Sequence, residues 1–132
     1  MRYKIANSKI KSFEDLEIWQ LSHNAVLKVY ETTKFFPKKE YFVLTQQLLR
    51  SAISIPANIA EGMGRYSRKE FIQYLIIARG SIEESRYYII LAKDLGYISK
   101  NIYDDLFNSF CLIGKKINSL INSLKSKTNG RK

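Results

Sequence analysis

The chain is poor in the residues from which most catalytic and cross-linked proteins are built. It has one cysteine, one histidine, one tryptophan and two prolines among 132 residues. With Cys111 alone no intrachain disulfide can form, which excludes the disulfide-stapled class. With His23 alone, a Ser-His-Asp or Cys-His arrangement would have to bring this one imidazole to an activated serine or to Cys111. His23 lies between the polar Ser22 and Asn24 and reads as an ordinary surface or boundary histidine. A di-iron bundle needs Glu-x-x-His on two helices, and neither copy exists; a zinc site lacks ligands. No stretch approaches the roughly 20 apolar residues of a membrane span. The start, Met1 to Lys11, has no apolar core of signal-peptide length. The expectation is a cytoplasmic protein with no cofactor, no metal and no membrane partner.

Acidic residues are also scarce. Asp and Glu number 12 against 22 Lys and Arg, a formal net charge of +10. So basic a chain points to a polyanionic partner, nucleic acid before membrane, although surplus lysine can also serve solubility alone. The remaining composition, 45% hydrophobic and 26% charged, is that of a globular chain, and the length fits one domain able to bury a core.

Four segments carry helical periodicity. In the first, over residues 14–34, Ser12 and Asp15 have capping-box spacing. Leu21, Ala25 and Val29 then form one row, and Trp19, Val26 and Tyr30 a second. Pro37 ends this helix or opens the next. In the second, over residues 39–61, Tyr41, Leu44, Leu48, Ala52, Ile55 and Ile59 share a face, with Pro56 inside it and Gly62 and Gly64 after it. The third opens on the capping pair Ser67 and Glu70 and carries Phe71, Leu75, Ala78, Ile82, Ser85, Ile89 and Ala92 in three-four alternation. Gly96 stands where a left-handed cap closes a helix of about 28 residues. The fourth starts near Ser99 with the stripe Ile102, Leu106, Phe110, Ile113, Ile117, Leu120 and Leu124. Nothing alternates with period two, and no internal repeat is present. Long helices with short connections predict an all-α, antiparallel up-down four-helix bundle. The expected organisation is a basic extension over residues 1–12, the bundle over 13–124 and a frayed basic tail over 125–132.

The third segment has more apolar surface than one seam needs. Ile72, Ile76 and Ile90 lie off the main row, and Tyr74, Tyr87 and Tyr88 add aromatic area. Either a second bundle neighbour or another subunit would cover it. Gly80 and Ser81 lower helix propensity there and are read as a site of close helix packing. Glu61, Glu83 and Glu84 are expected to pair with Arg50, Arg79 and Arg86 rather than to act as acid and base. Gly62-Met63-Gly64 lacks the length and the lysine of a phosphate-cradling loop. No enzyme is indicated.

Up-down topology would gather Arg2, Lys4, Lys9, Lys11, Arg65, Arg68, Lys69, Lys125, Lys127, Arg131 and Lys132 at one end. Those eleven cations face five acids, Glu14, Asp15, Glu17, Glu61 and Glu70, whereas the opposite end balances to zero. Such a basic rim can track phosphates, and Tyr66, inside the densest cluster, can stack on an unpaired base. Arg68 and Lys69 are nominated on this ground.

Several runs resemble a known family. They are Phe13-Glu14-Asp15-Leu16 with Trp19-Gln20; Gln47 to Arg50; Ser54-Ile55-Pro56-Ala57-Asn58-Ile59-Ala60-Glu61-Gly62; Ser67-Arg68-Lys69-Glu70-Phe71; and Ala78-Arg79-Gly80-Ser81-Ile82-Glu83-Glu84. Together they resemble the four-helix bundle proteins encoded in intervening sequences of bacterial large-subunit ribosomal RNA genes, to which retroelement accessory variability proteins are similar. The resemblance spans residues 13–124. It implies an up-down bundle, assembly into a homopentamer, and no catalysis. It also implies nucleic-acid binding on a basic surface, or docking to a protein partner such as a reverse transcriptase. Carried onto this chain, it nominates Arg50, Arg65, Arg79 and Arg86. The expected function is therefore low-specificity binding of RNA or DNA by a non-enzymatic homo-oligomer, with a protein-interaction scaffold as the alternative.

Overall fold

The computed structural model describes residues 10–129, with side chains to residue 126. Among the described residues it is all-helical with no strand: α1 (Glu17–Thr33), α2 (Gln46–Met63), α3 (Arg68–Asp94) and α4 (Lys100–Asn129). α1 packs on α2 and α4, and α3 packs on α2 and α4, so the helices close a ring around one core. Among the described residues no helix is long and apolar enough to cross a membrane.

The first helix does not start where periodicity places it. Phe13–Asp15 make a single 3-10 turn. The Asp15 carboxylate accepts the backbone N–H of Lys11 at 2.9 Å and of Ser12 at 3.3 Å. Leu16 is then extended (φ −78°, ψ 130°) and buried, and α1 begins at Glu17. An amphipathic count cannot see this break, because Leu16 is apolar in either conformation. Between α1 and α2, Pro37 caps a 3-10 turn (Lys38–Glu40), followed by a π-helical turn (Tyr41–Thr45). Tyr97 donates its hydroxyl to the Glu40 carboxylate at 2.7 Å, tying this connection to the one between α3 and α4.

Three helix ends match their sequence signals. Ser67 accepts the N–H of Glu70 at 3.1 Å. Gly96 has φ 79°, a left-handed value open to glycine, one residue beyond the Leu95 cap of α3. Ser99 accepts the N–H of Ile102 at 3.2 Å. By contrast, α4 continues to Asn129, so residues 125–129 are helical where a frayed tail is expected.

The core takes every residue of the predicted α3 row, Phe71 to Ala92. It also takes Leu44, Leu48, Ala52, Ile55 and Ile59, and from α4 Leu106, Phe110, Ile113, Ile117, Ile121 and Leu124. Tyr30, Tyr41 and Ile102 are exposed, and Ile18 and Ile121 are core residues outside the predicted rows. Cross-helix pairs set the registers. Glu17 meets Lys116 at 2.9 Å and Lys28 meets Asp105 at 3.1 Å. Between α2 and α3, Ser51 meets Ser85 at 2.8 Å and Ser81 donates to Ser54 at 2.9 Å.

Close backbone approach occurs at Gly62, not at Gly80. A Cβ on Gly62 would lie 2.6 Å from Tyr74 Cβ, whereas one on Gly80 would meet nothing within 4 Å. Gly62 is also inside α2 rather than after it.

Candidate nucleic-acid interface

The six nominated cations are spread over α2, the α2–α3 connection and α3. Arg65 sits in the α2–α3 connection and is held locally. It pairs with Glu61 at 3.1 Å, donates to the Tyr74 hydroxyl, and stacks its guanidinium 4.9 Å from the Tyr74 ring centroid. Arg68 and Lys69 open α3 and form no ion pair among the described residues. Tyr66 beside them is 74% exposed. Arg50 is exposed on α2 and does not line the groove between α3 and α4.

Arg79 and Arg86 lie on the edge of α3 that faces α4. Arg79 donates to the Asn118 side chain at 2.9 Å. Arg86 pairs with Glu83 at 2.8 Å and lies 4.8 Å over the Phe107 ring. The bond to Glu83 is the main cause that holds the Arg86 guanidinium above its ordinary range. Arg68 belongs to the same edge by helical geometry. Eleven residues to Arg79 carry the helix about 20° past three turns, and seven more to Arg86 bring it about 20° back. The three arginines thus align over about 27 Å of α3.

Facing this edge, α4 supplies Cys111, Gly114, Lys115 and Asn118. Between the helices runs a groove of about 540 Å³, with the half-buried Ile76 and Cys111 as its apolar floor beneath a polar rim and the fully buried Ile82 and Phe110 behind them. Lys115 and Asn118 were not among the nominated residues. The signal that finds them is the α3–α4 register, which no count along one helix contains. The predicted carboxylate pairings are corrected in part. Glu61 pairs with Arg65 rather than Arg50, Glu83 pairs with Arg86 as expected, and Glu84 forms no ion pair among the described residues. Exposed pairs of this kind contribute at most about 1 kcal/mol and leave the cations available to a stronger anion.

Of the predicted basic end, Lys11 and Lys125 are exposed on the described chain. Arg2, Lys4, Lys9, Arg131 and Lys132 lie outside the described residues, as does the side chain of Lys127. Among the described residues no three of His, Cys, Asp and Glu form a metal-ligand group.

A crystal structure of a protein of unknown function from the S23 ribosomal protein family of Bacteroides thetaiotaomicron VPI-5482 superimposes with a TM-score of 0.74 at 31% identity. The match covers 79% of this chain and 97% of that one. No curated protein matches. The family model of the 23S rRNA-intervening sequence protein matches residues 14–119, within the stretch that carries the sequence resemblance. The chain belongs to the 23S rRNA-intervening sequence protein family.

Proposed function

We propose that this protein is a non-catalytic, cytoplasmic homo-oligomer that binds nucleic acid, RNA or DNA, through a basic surface with low sequence specificity. The observation that carries this reading is the aligned arginine edge of α3, Arg68, Arg79 and Arg86, with Lys115 across the groove and Lys69 exposed beside Arg68 on the chain. Arginine and lysine spaced along a rod neutralise successive phosphates without reading bases, which gives affinity without sequence preference. The protomer is an antiparallel up-down bundle, a reading supported by the falling α4 numbers that meet rising α1 numbers at Glu17–Lys116 and Lys28–Asp105. Self-association, for which the pentamer is the expected form, is supported by apolar surface left outside the core. Ile77, Tyr87 and Ile90 on α3 and Leu27, Ile102 and Leu112 on α1 and α4 are all at least 36% exposed. Fluorescence anisotropy with a labelled oligonucleotide at 50 and 200 mM salt tests the binding. Affinity falls steeply with salt and falls further when Arg68 and Lys69 are neutralised; affinity that is insensitive to salt contradicts the reading.

One observation favours the scaffold reading. Phe35 and Phe42 are 78% and 77% exposed at the α1–α2 connection, with Tyr41 and Val43 exposed beside them. Large aromatics on a surface are the anchors that protein interfaces use. A reverse transcriptase or similar partner that stays bound after nuclease treatment, and is lost on Phe35→Ser with Phe42→Ser, would support it.

A further inference from the structure

The α3–α4 groove differs from the remaining basic surface in having charge at the rim and an apolar floor. Arg79, Arg86 and Lys115 face a single acid, Glu83, which already pairs with Arg86. Arg79 spends one donor on the neutral Asn118, and Lys115 forms no ion pair among the described residues. The rim therefore has two positive charges without a counter-ion.

Both walls are cut down at the same level. Gly80 on α3 and Gly114 on α4 both line the groove. A Cβ on Gly80 would meet nothing within 4 Å, and one on Gly114 would meet only Ile82 Cγ2 at 3.8 Å. A glycine inside a long helix weakens that helix, and no close packing among the described residues requires Gly80. A bare backbone edge is what a ligand needs in order to lie close.

We infer that this groove takes one unpaired nucleic-acid strand, its phosphates on Arg79 and Lys115 and an unstacked base over the apolar floor between Gly80 and Gly114. The inference rests on the nucleic-acid reading above and narrows it to single strands. Packed helices stand about 8–10 Å apart, so the trench between them admits a sugar-phosphate strand and not a paired helix. Its volume of about 540 Å³ falls in the range of small-ligand sites, roughly 300–1,000 Å³. An apolar floor is useful only to a base that has left its stack, because a duplex keeps its base faces covered.

Cys111, the one cysteine of the chain, lines the groove and serves as a built-in probe. The experiment measures its rate of reaction with a thiol reagent on the full chain, alone and with saturating 12-nucleotide oligo-dT or a 12-base-pair duplex. Anisotropy gives both affinities in parallel. The single strand is expected to bind at least tenfold tighter than the duplex and to slow Cys111 modification at least fivefold. The pair Arg79→Gln and Lys115→Gln is expected to weaken single-strand binding at least tenfold and to reduce the salt slope by about 1.4, from 0.7 per phosphate contact. Gly80→Leu, which fills the groove without changing charge, is expected to weaken it comparably while the melting temperature holds. Equal affinity for both probes, or single-strand binding that leaves Cys111 reactive and is indifferent to both groove variants, overturns the inference while nucleic-acid binding stands. No binding of either probe at low salt overturns the nucleic-acid reading and the inference together.

Discussion

A Cβ on Gly62 would press on Tyr74 Cβ at 2.6 Å and on the Phe71 ring at 3.0 Å, and Phe71 is fully buried. Gly62→Ala is therefore expected to destabilise the fold by about 1–3 kcal/mol, the cost of overpacking. Gly80→Ala, with open space around the new methyl group, is expected to stabilise it by about 0.5–1 kcal/mol through helix propensity. Urea unfolding of the two variants checks both signs, and an unshifted midpoint for Gly62→Ala would mean that the α2–α3 contact yields freely. Asp15 offers a second residue-level test. The backbone N–H groups of Lys11 and Ser12 hold its carboxyl below the usual aspartate value of about 3.9. Because the folded value is the lower one, this interaction stabilises the fold above about pH 3.9 and is lost as pH falls through the folded value. NMR titration should show Asp15 ionising below an unstructured aspartate; an ordinary midpoint would mean that the turn before α1 is not formed.

At the scale of elements, α2 and α3 are joined by two hydroxyl rungs, Ser51 with Ser85 and Ser81 with Ser54. The first is buried, and Ser51 also donates to the Leu48 carbonyl at 3.1 Å. Replacing either Ser51 or Ser85 by alanine is expected to cost about 1 kcal/mol, because the remaining hydroxyl loses a partner away from water. The double variant is expected to cost about 0.5–1 kcal/mol less than the sum of the two. Strict additivity in unfolding experiments would show that the rung carries no coupling. Sequence alone placed Ser85 in the α3 row by its spacing but not its partner, which belongs to another helix. The caps at Ser67, Gly96 and Ser99 were legible because each depends on a few neighbouring residues. The π-helical turn at Tyr41–Thr45 was not. A turn of that kind takes more residues than an α-helical one, so a 3.6-residue count carried back from Leu44 puts Tyr41 inside, where the structure has it 62% exposed.

For the whole molecule, charge and exposed apolar surface make separate demands. The net charge of +10 attracts polyanions and opposes the approach of another copy, while the apolar side chains outside the core favour it. Light scattering at physiological salt is expected to give five times the 15.4 kDa chain mass. A mass of one chain at micromolar concentration would refute pentamer assembly. Lowering the salt should loosen the assembly, because repulsion between cationic subunits is then less screened.

Periodicity, caps and composition determined an all-α chain with four helices, since the signals for a helix and its ends lie within a few residues of one another. Composition also determined the surplus of positive charge, and the family resemblance nominated Arg50, Arg65, Arg79 and Arg86. Only the tertiary structure decided which of those arginines share a surface. Arg65 is turned back onto Glu61 and Tyr74, whereas Arg79 and Arg86 border a groove whose other wall is α4 and which Arg50 does not line. It likewise decided that Gly62 is crowded and Gly80 is bare. Both outcomes depend on the register of one helix against the next, seen in pairs such as Ser51 with Ser85 and Arg79 with Asn118, which no count along one helix contains.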